Sequence, residues 1–433
     1  MIDRCLDKIK ATPYAFQRKG SNFMLKHRWV LLGDEQGLGK TLQTIIAIVA
    51  TGQKAIVICP GMLRSVWSAE IRKFTDLEPL VLHSSNQTNY ITRKWDVLVT
   101  SYELAEHVLR PELGAEVLVL DECHYIKNVK AKRTQFIHNY ARGKRPGYVF
   151  ALSGTPIKNS VGEFYSILKL LSYNPQDTNG LRIREKSAYS FSCKFSYSVT
   201  EQIMGRSVTK FEGVRNIPAL KKYLTDKYLR RTSEAELDLP SLIIKDVDLA
   251  TANIKVEYEL EAAFDLWLLS GKMGPHISQA KMGAAMEKVP STAKYAMDIL
   301  QQGEKVVIFS DHVDPIASLR NIFQDKGYKV GILTGGIPEK ERARSIESFQ
   351  KGDTQIILAT IGAASTGITL TAAKNLIFND ISWVPADVEQ AQKRIHRIGQ
   401  KDLCIVHRMI LGQIDKNITK KIIEKREVLK RVL

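Results

Sequence analysis

Apolar and polar residues alternate along this chain with two different periods. Short apolar runs that are rich in β-branched residues are separated by longer segments in which apolar residues recur at helical spacing. This alternation is typical of parallel sheets whose strands are joined by helices. The runs predict five strands in each half of the chain, at residues 29–32, 55–59, 96–100, 117–120, 148–152, 305–309, 329–333, 355–359, 375–379 and 404–409. We therefore predict an α/β protein with two domains of similar architecture.

The alternation breaks down between about residues 171 and 290. There the pattern predicts a strand at 189–195, a hairpin at 197–211, a basic helix within 217–231 and an amphipathic helix at 254–271. We place the boundary between the two domains near Pro240. The first domain then covers residues 1–240, with a hairpin and helical protrusion at about 172–240. The second covers residues 241–433, with a helical protrusion at about 250–290.

The charge of the chain points to a polyanionic partner. The 63 Lys and Arg exceed the 46 Asp and Glu and give a formal net charge of +17. Such an excess favours nucleic acid, although a protein can also be basic without one. The five cysteines include no CxxC pair, which argues against a zinc site and fits a reducing compartment. With no membrane-length apolar run and no signal-peptide pattern, we expect an intracellular protein, in a bacterial or phage-host cytoplasm or in a nucleus.

The segment Gly37-Leu38-Gly39-Lys40-Thr41 carries the strongest chemical signal in the first half. It follows an apolar strand and precedes an apolar helix, and main-chain N–H groups at such a helix N-terminus cradle phosphates. Lys40 would reach the β- and γ-phosphates of a nucleotide, and the Thr41 hydroxyl would bind Mg²⁺. The generic phosphate loop has Gly at position 34, where this chain has Asp34. The alternative for the isolated segment is a Gly-rich turn with a surface lysine.

An acidic pair after another predicted strand weakens that alternative. Asp121 and Glu122 follow residues 117–120, and open α/β sheets bind ligands at the carboxyl ends of their strands. Asp121 suits the Mg²⁺ shell, and Glu122 is the candidate base that orients and deprotonates the attacking water. An acidic pair in this position can also be only a helix cap. The phosphate loop and the acidic pair together predict a nucleotide hydrolase.

Two arginines in the second half complete the predicted site. Arg394 and Arg397 are three residues apart, so on a helix their guanidinium groups lie on one face. They would act as arginine fingers that stabilise charge during phosphoryl transfer. The alternative is a basic helix face that is merely solvated. Because the arginines and the phosphate loop lie at opposite ends of the chain, the sequence predicts a composite site closed between two lobes.

These motifs resemble the Snf2 family of superfamily 2 helicase-like ATPases, over almost the whole chain. The most diagnostic are residues 33–41, the Asp-Glu-Cys-His at 121–124, Ser-Gly-Thr-Pro at 153–156 and Arg-x-His-Arg-Ile-Gly-Gln at 394–400. Arg230-Arg231 followed by Leu239-Pro240 is similar to the family's bridge between lobes. The resemblance implies two tandem RecA-like domains with parallel sheets flanked by helices, DNA-stimulated ATP hydrolysis, and ATP with Mg²⁺ as cofactors.

The resemblance also implies roles for individual residues, with Gln17 as the adenine reader. The nucleotide-binding set is Gln17, Gly37, Leu38, Gly39, Lys40, Thr41, Gly367 and Gln390, with Thr41 and Asp121 as metal ligands. The DNA-binding set is Trp67, Thr100, Ser101, Tyr102, Phe309, Ser310, Thr369 and Trp383. Ser153, Thr155 and His124 would couple the ATP state to movement of the lobes. Residues 415–433 would form a brace helix that packs back on the core.

Within the family, residues 363–364 and 369–373 are similar to annealing-helicase and fork-remodelling members, and the short core is similar to a phage branch-migration helicase. The resemblance therefore implies a monomeric ATP-driven translocase on duplex, forked or four-way branched DNA, held mainly by its backbone and not by base sequence. One alternative is a motor that displaces proteins such as RNA polymerase from DNA. Another is a non-catalytic DNA-binding scaffold with a relic phosphate loop.

The hairpin predicted at 197–211 has apolar residues at its tip. Ile203, Met204 and Arg206 would form a wedge, because apolar side chains can part a stacked base step. The alternative is a small structural hairpin that covers the core of the first domain.

Overall fold

The computed structural model describes residues 2–158, 160–177, 183–203, 206–249, 254–270, 274–364 and 367–430. The chain divides into two compact units. The first unit holds the residues up to 199, residues 211–236 and the end of the chain from Val428; the second holds residues 200–210 and 237–427. None of the helices in the described ranges combines the length and the apolar composition that a membrane-spanning segment requires.

The first unit is built on a seven-stranded parallel sheet with the order β3-β4-β2-β5-β6-β1-β9. The strands up to residue 236 are β1 (Trp29–Leu32), β2 (Ala55–Cys59), β3 (Pro79–Val81), β4 (Val97–Ser101), β5 (Val117–Asp121), β6 (Tyr148–Leu152), β7 (Tyr197–Ile203), β8 (Arg206–Glu212) and β9 (Tyr228–Leu229). Strands β7 and β8 form a separate two-stranded hairpin.

Nine helices accompany these strands in the described residues. They are α1 (Ala15–His27), α2 (Lys40–Thr51), α3 (Arg64–Phe74), α4 (Ala105–Val108), α5 (Lys132–Lys144), α6 (Phe164–Leu171), α7 (Ala188–Phe195), α8 (Ile217–Leu224) and α9 (Ser233–Glu236).

The second unit contains a six-stranded parallel sheet with the order β10-β15-β14-β11-β13-β12. Its strands are β10 (Leu242–Leu249), β11 (Val306–Ser310), β12 (Val330–Leu333), β13 (Ile356–Thr360), β14 (Asn375–Phe378) and β15 (Cys404–Leu411). The helices from residue 237 onward are α10 (Ile254–Ser270), α11 (Pro275–Leu300), α12 (Val313–Asp325), α13 (Glu339–Lys351), α14 (Ile361–Ala364), α15 (Pro385–Gln392) and α16 (Gly412–Lys430).

Both faces of each sheet are buried, which explains the continuous apolar runs in the sequence. Along β5, Leu118 and Leu120 belong to one apolar cluster, while Val117 and Val119 belong to another. Because successive side chains of a strand point to opposite faces, the two clusters lie on the two sides of the sheet. The polar residues that follow a strand then collect at the carboxyl edge of the sheet.

The predicted α/β fold is confirmed, and each of the ten predicted strands is present with ends that differ by at most two residues. The pattern missed three strands, β3, β9 and β10, and all three lie at the edge of a sheet. Strands β3 and β9 have only three and two residues. Strand β10 is longer, but most of its side chains are exposed. Edge strands are short or polar because fewer of their groups are covered, so they lack the apolar signature of central strands.

The strand predicted at 189–195 is wrong, because these residues form α7. The Ser187 hydroxyl accepts a hydrogen bond from the Ser190 N–H at 3.1 Å, and the Ser190 hydroxyl accepts one from the Ser187 N–H at 3.1 Å. This capping box starts a helix in which Phe191 and Phe195, four residues apart, are both buried. Tyr189, which the strand would have placed on the same face, is 63% exposed.

The basic helix predicted within 217–231 extends only to Leu224, where α8 ends. The chain then pairs with β1 through the short strand β9, so the second half of the predicted helix is wrong. The predicted hairpin is present as β7 and β8. Of the predicted wedge, Ile203 ends β7 and Arg206 begins β8, whereas Met204 lies outside the described residues.

Candidate active site

Residues 33–39 form the loop that joins β1 to α2. Gly37 and Gly39 have φ values of 95° and 67°, a region that glycine adopts without strain, and Gly39 is the N-cap of α2. The Lys40 ammonium group donates hydrogen bonds to the main-chain oxygens of Asp34 at 2.7 Å and Glu35 at 3.2 Å. Burial lowers the pKa of Lys40. The loop thus holds a cation beside the N-terminus of a helix, which is the arrangement that phosphate binding requires.

Asp34, which departs from the generic phosphate loop, belongs to a buried ion pair. Its fully buried carboxylate accepts a hydrogen bond from Arg231 Nε at 3.0 Å and a second from Arg231 Nη2. Arg231 Nη2 also donates to Gln43 Oε1 at 2.8 Å, and Gln43 Nε2 donates to Asp34 Oδ2 at 3.0 Å. Breaking such a buried pair typically costs about 3–5 kcal/mol, because it leaves one charge uncompensated. Asp34 therefore connects the phosphate loop to Arg231, which is 197 positions away in the sequence.

The neighbouring residues extend this attachment. Arg230 lies 3.6 Å from the Glu35 carboxylate and donates to the Gly154 carbonyl at 3.3 Å. The Ser233 hydroxyl and N–H both donate to Glu35 Oε2, at 2.9 and 3.0 Å. Sequence reasoning identified Arg230 and Arg231 only as a match to a family pattern and missed these contacts. The available signal was Asp34, which stands where the generic loop has glycine, with a second carboxylate, Glu35, directly after it.

Asp121 ends β5 at the carboxyl edge of the first sheet. Its Oδ2 accepts a hydrogen bond from the Trp67 indole at 2.8 Å, and its Oδ1 accepts one from the Glu122 N–H at 3.0 Å. The Tyr102 hydroxyl donates to the main-chain oxygen of Asp121 at 2.8 Å. Burial raises the pKa of Asp121, and the charge of Glu122 raises it further. A bound cation would reverse that shift by favouring the ionised carboxylate.

Glu122 has a left-handed backbone conformation, with φ of 50°, which is strained for a residue with a side chain. Its Oε2 accepts a hydrogen bond from the Ser153 hydroxyl at 3.1 Å and lies 3.2 Å from His124 Nδ1. Although burial acts in the opposite direction, the hydrogen bond and charge of His124 and the charge of Lys40 lower the pKa of Glu122. The carboxylate is therefore ionised at neutral pH, as a base must be.

Two of the three predicted coupling residues, Ser153 and Thr155, lie on the segment after β6, which pairs in parallel with β5 and places Leu152 opposite Asp121. The Ser153 oxygen also accepts a hydrogen bond from the Thr155 N–H at 3.2 Å. A Cβ on Gly154 would lie 2.9 Å from the Gln36 side chain and 3.3 Å from the Lys40 ammonium group. This segment therefore packs directly on the phosphate loop, and glycine allows the close approach.

Gln17, the predicted adenine reader, is buried against the phosphate loop. Its Oε1 accepts a hydrogen bond from the Tyr14 N–H at 3.0 Å, and its Nε2 donates to the Leu38 carbonyl at 3.4 Å. The side chain thus joins the start of α1 to the loop. A contact between Gln17 and adenine stays a prediction.

Most of the side chains predicted to bind DNA are buried, and their contact with DNA stays a prediction. The buried ones are Trp67, Thr100, Ser101, Tyr102, Phe309, Ser310 and Trp383, whereas Thr369 is partly exposed. In the second unit, Trp383 packs against Phe264 and Trp267. The Ser310 hydroxyl donates to Asp380 at 2.5 Å.

The two arginines lie beyond the end of α15, which stops at Gln392, so the prediction that both are on a helix is wrong. Their side chains nevertheless converge. Arg394 Nη1 and Arg397 Nη1 lie 3.5 and 3.1 Å from the same main-chain oxygen, that of Ile368, to which both donate. Arg394 is only 4% exposed, whereas Arg397 is half-buried. Gln390 is buried on α15, and Gly367 is exposed with φ of 69°.

In the described residues, no group of three or more His, Cys, Asp or Glu side chains is arranged to hold a metal ion. Mg²⁺ in nucleotide sites needs fewer protein ligands, because phosphate oxygens and water complete its shell. Thr41 begins α2 beside Lys40, and Asp121 presents a carboxylate at the edge of the same sheet. The oxygen donors in the first unit fit Mg²⁺ bound together with a nucleotide.

A phosphate loop, a candidate metal-binding carboxylate and an ionised base assembled at the edge of one parallel sheet define a nucleotide hydrolase. Residues 16–240 match the family described as the SNF2-related domain, and residues 291–399 match the helicase conserved C-terminal domain. The first match covers just over half of the chain. The chain belongs to the SNF2-related family.

The chain is similar to the DNA annealing helicase and endonuclease ZRANB3 of Mus musculus, with 26% identity over 96% of this chain and 40% of that protein. It is also 26% identical to an uncharacterized ATP-dependent helicase of Mycoplasma pneumoniae, over 93% of this chain and 40% of that protein. The chain thus spans about 40% of the length of these relatives. Among solved structures, the SWI2/SNF2 ATPase core of Sulfolobus solfataricus in complex with dsDNA aligns over 98% of this chain and 94% of that chain, with 25% identity and a TM-score of 0.45.

Proposed function

We propose that this protein uses ATP hydrolysis to move along DNA and to remodel forked or branched duplexes by branch migration, fork reversal or strand annealing. The observation that carries the ATPase part is the assembly in the first unit. There Lys40 lies at the start of α2, Asp121 and Glu122 lie together at the end of β5, and the Glu122 carboxylate is held by His124 from the same segment and by Ser153 from the segment after β6.

In the proposed reaction, each group of the first unit has a defined task. The N–H groups at the start of α2 and the Lys40 ammonium group bind the phosphates of ATP. Glu122 orients the attacking water and accepts its proton, and the contacts from Ser153 and His124 fix the carboxylate for this step. Thr41 and Asp121 would hold Mg²⁺, which supplies positive charge at the transferred phosphoryl group.

The proposal for DNA rests on charge and on similarity. The net charge of +17 favours a polyanion, and contacts to phosphates would make binding sensitive to salt and largely independent of sequence. The name of the Mus musculus relative describes an annealing helicase, which favours a branched or single-stranded substrate over plain duplex. The arginine pair of the second unit would complete the site when the units close on ATP, as the sequence predicts.

The discriminating experiment compares two activities of the full chain. We expect ATP-dependent branch migration of a synthetic four-way junction. We also expect junction DNA to stimulate ATP hydrolysis more strongly than linear duplex does. The control variant Lys40→Ala removes the phosphate-binding cation and is expected to be inactive in both assays. Displacement of a stalled RNA polymerase without branch migration would favour the alternative of a protein-stripping motor. Absence of any ATP hydrolysis would favour the non-catalytic scaffold.

The hairpin of β7 and β8 gives a separate prediction. If residues 203–206 act as a wedge, replacing them with a Gly/Ser turn is expected to abolish strand separation while DNA-stimulated ATP hydrolysis continues. The variant Thr209→Ala, at an exposed position of β8, is the matched control and is expected to retain both activities. Equal loss of both activities in the turn variant would indicate a structural hairpin, and unchanged strand separation would rule out the wedge.

A further inference from the structure

Trp67 lies on α3 and is 1% exposed. Its ring packs in the apolar cluster between α2, α3 and the first sheet, together with Ile46 and Val119. The indole N–H is a donor only, and it donates to Asp121 Oδ2 at 2.8 Å. Because the ring is fixed by packing, the direction of this hydrogen bond is fixed as well.

The remaining contacts of Asp121 show what the indole controls. The Glu122 N–H donates a hydrogen bond to Asp121 Oδ1 at 3.0 Å, and the Tyr102 hydroxyl donates one to the main-chain oxygen of Asp121 at 2.8 Å. Tyr102 is itself buried in the cluster on the opposite face of the sheet. Trp67 is the side-chain donor on Oδ2, and together with the Glu122 N–H on Oδ1 it sets the rotation of the carboxylate about its χ2 bond. Each oxygen, with one N–H donor, still has a lone pair available for a cation.

The chemistry of the donor points the same way. An indole N–H that donates to a carboxylate oxygen stabilises the negative charge that a metal ligand carries. A partner that orients a ligating carboxylate typically contributes about 10–100-fold to metal affinity or activity.

We infer that Trp67 is a positioning residue for the nucleotide-bound metal: its indole N–H holds the Asp121 carboxylate in the orientation that binds a divalent cation. This inference rests on the proposed ATPase function of the first unit. It gives the buried Trp67 indole a role at the metal site, distinct from the DNA contact that the family resemblance implies for this residue.

The test uses Mn²⁺ as a paramagnetic probe, titrated into the full chain with ADP and followed by electron paramagnetic resonance. Trp67→Phe retains an aromatic ring and removes the N–H, and it is expected to weaken Mn²⁺ binding by about 10–100-fold. ADP affinity without metal is expected to stay within about twofold, because the phosphate loop is untouched. The concentration of Mg²⁺ that gives half-maximal ATP hydrolysis is expected to rise in parallel.

The matched control is Trp29→Phe. Trp29 is also 1% exposed, and its indole donates to the Pro146 carbonyl at 3.1 Å, at the start of β1 and away from the site. It is expected to alter stability but not Mn²⁺ affinity. A second position-67 variant separates the effect of packing from that of the hydrogen bond. 3-Benzothienylalanine keeps the bicyclic shape without the N–H, and it is expected to weaken Mn²⁺ binding as Trp67→Phe does.

Three outcomes decide the inference. Wild-type Mn²⁺ affinity in the folded position-67 variants would overturn it. Normal Mn²⁺ binding with weakened DNA binding would also overturn it and would support the DNA-contact prediction. If the wild-type chain binds no Mn²⁺ with ADP and hydrolyses no ATP, the proposed function itself fails, and the two failures are thereby distinguished.

Discussion

Glu122→Gln is expected to lower DNA-stimulated ATP hydrolysis by about 10²–10⁴-fold, the range that a positioned base contributes. Glutamine retains the shape of the side chain and an oxygen that accepts the Ser153 hydrogen bond, but it cannot take a proton from water. The metal site at Asp121 is not altered, so nucleotide binding is expected to persist. Phosphate release measures turnover, and a fluorescent ATP analogue measures binding.

Lys40→Ala is the variant to compare with Glu122→Gln, because it affects nucleotide binding, which precedes hydrolysis. Removal of the ammonium group takes away charge neutralisation at the phosphates, so both nucleotide binding and turnover are expected to fall. Glu116→Gln is the matched control for Glu122, since Glu116 immediately precedes the same strand at its opposite end and bonds Lys144 and the Gly147 N–H. Near-normal turnover of either active-site variant would refute the assignment of the catalytic centre.

Arg397→Ala is expected to lower turnover by about 10³–10⁵-fold while ATP affinity changes only a few-fold. A guanidinium that acts mainly on the charge of the transition state contributes to the rate and much less to ground-state binding. Arg397 is the better test than Arg394, because Arg394 is buried and its loss would also disturb the packing of the second unit. Single-turnover hydrolysis at saturating ATP separates the chemical step from binding.

Arg320→Ala provides the control for Arg397. Arg320 lies on α12 of the second unit, and its guanidinium donates to Asn321 on the same helix at 3.1 and 3.3 Å. Its removal is expected to leave turnover unchanged. If Arg397→Ala instead weakened DNA binding and spared hydrolysis, a DNA-facing role would replace the arginine-finger assignment.

The parts of the molecule that sequence predicted correctly share one physical property. The central strands of both sheets are covered on two faces, so their residues are continuously apolar and visible as short runs. The phosphate loop is equally local, because Gly37 and Gly39 supply conformations required within a few residues of Lys40. The acidic pair follows its strand directly. In each case the information lies within about ten residues.

Where the predictions failed, the deciding partner is distant along the chain or the signal is ambiguous. The spacing of the aromatic residues at 189–195 is compatible with both a strand and a helix. The Ser187 capping box and the burial of Phe191 and Phe195 favour the helix. The edge strand β10 has only a short apolar run, at residues 242–244, before its charged residues, and it forms by pairing with β15. The burial of Trp383 likewise depends on distant partners, because its ring packs against Phe264 and Trp267.

Sequence by itself determined the fold class and the central strands, because both depend on local chemistry, and the same local chemistry predicts the loop, acid and base residues. Tertiary structure alone decided how these groups are held. The Asp34–Arg231 pair joins residues 197 positions apart, and the Trp67–Asp121 hydrogen bond joins residues 54 positions apart. Local pattern contains no information about such contacts. They arise because parallel strands bring their carboxyl ends to one edge, where distant segments meet.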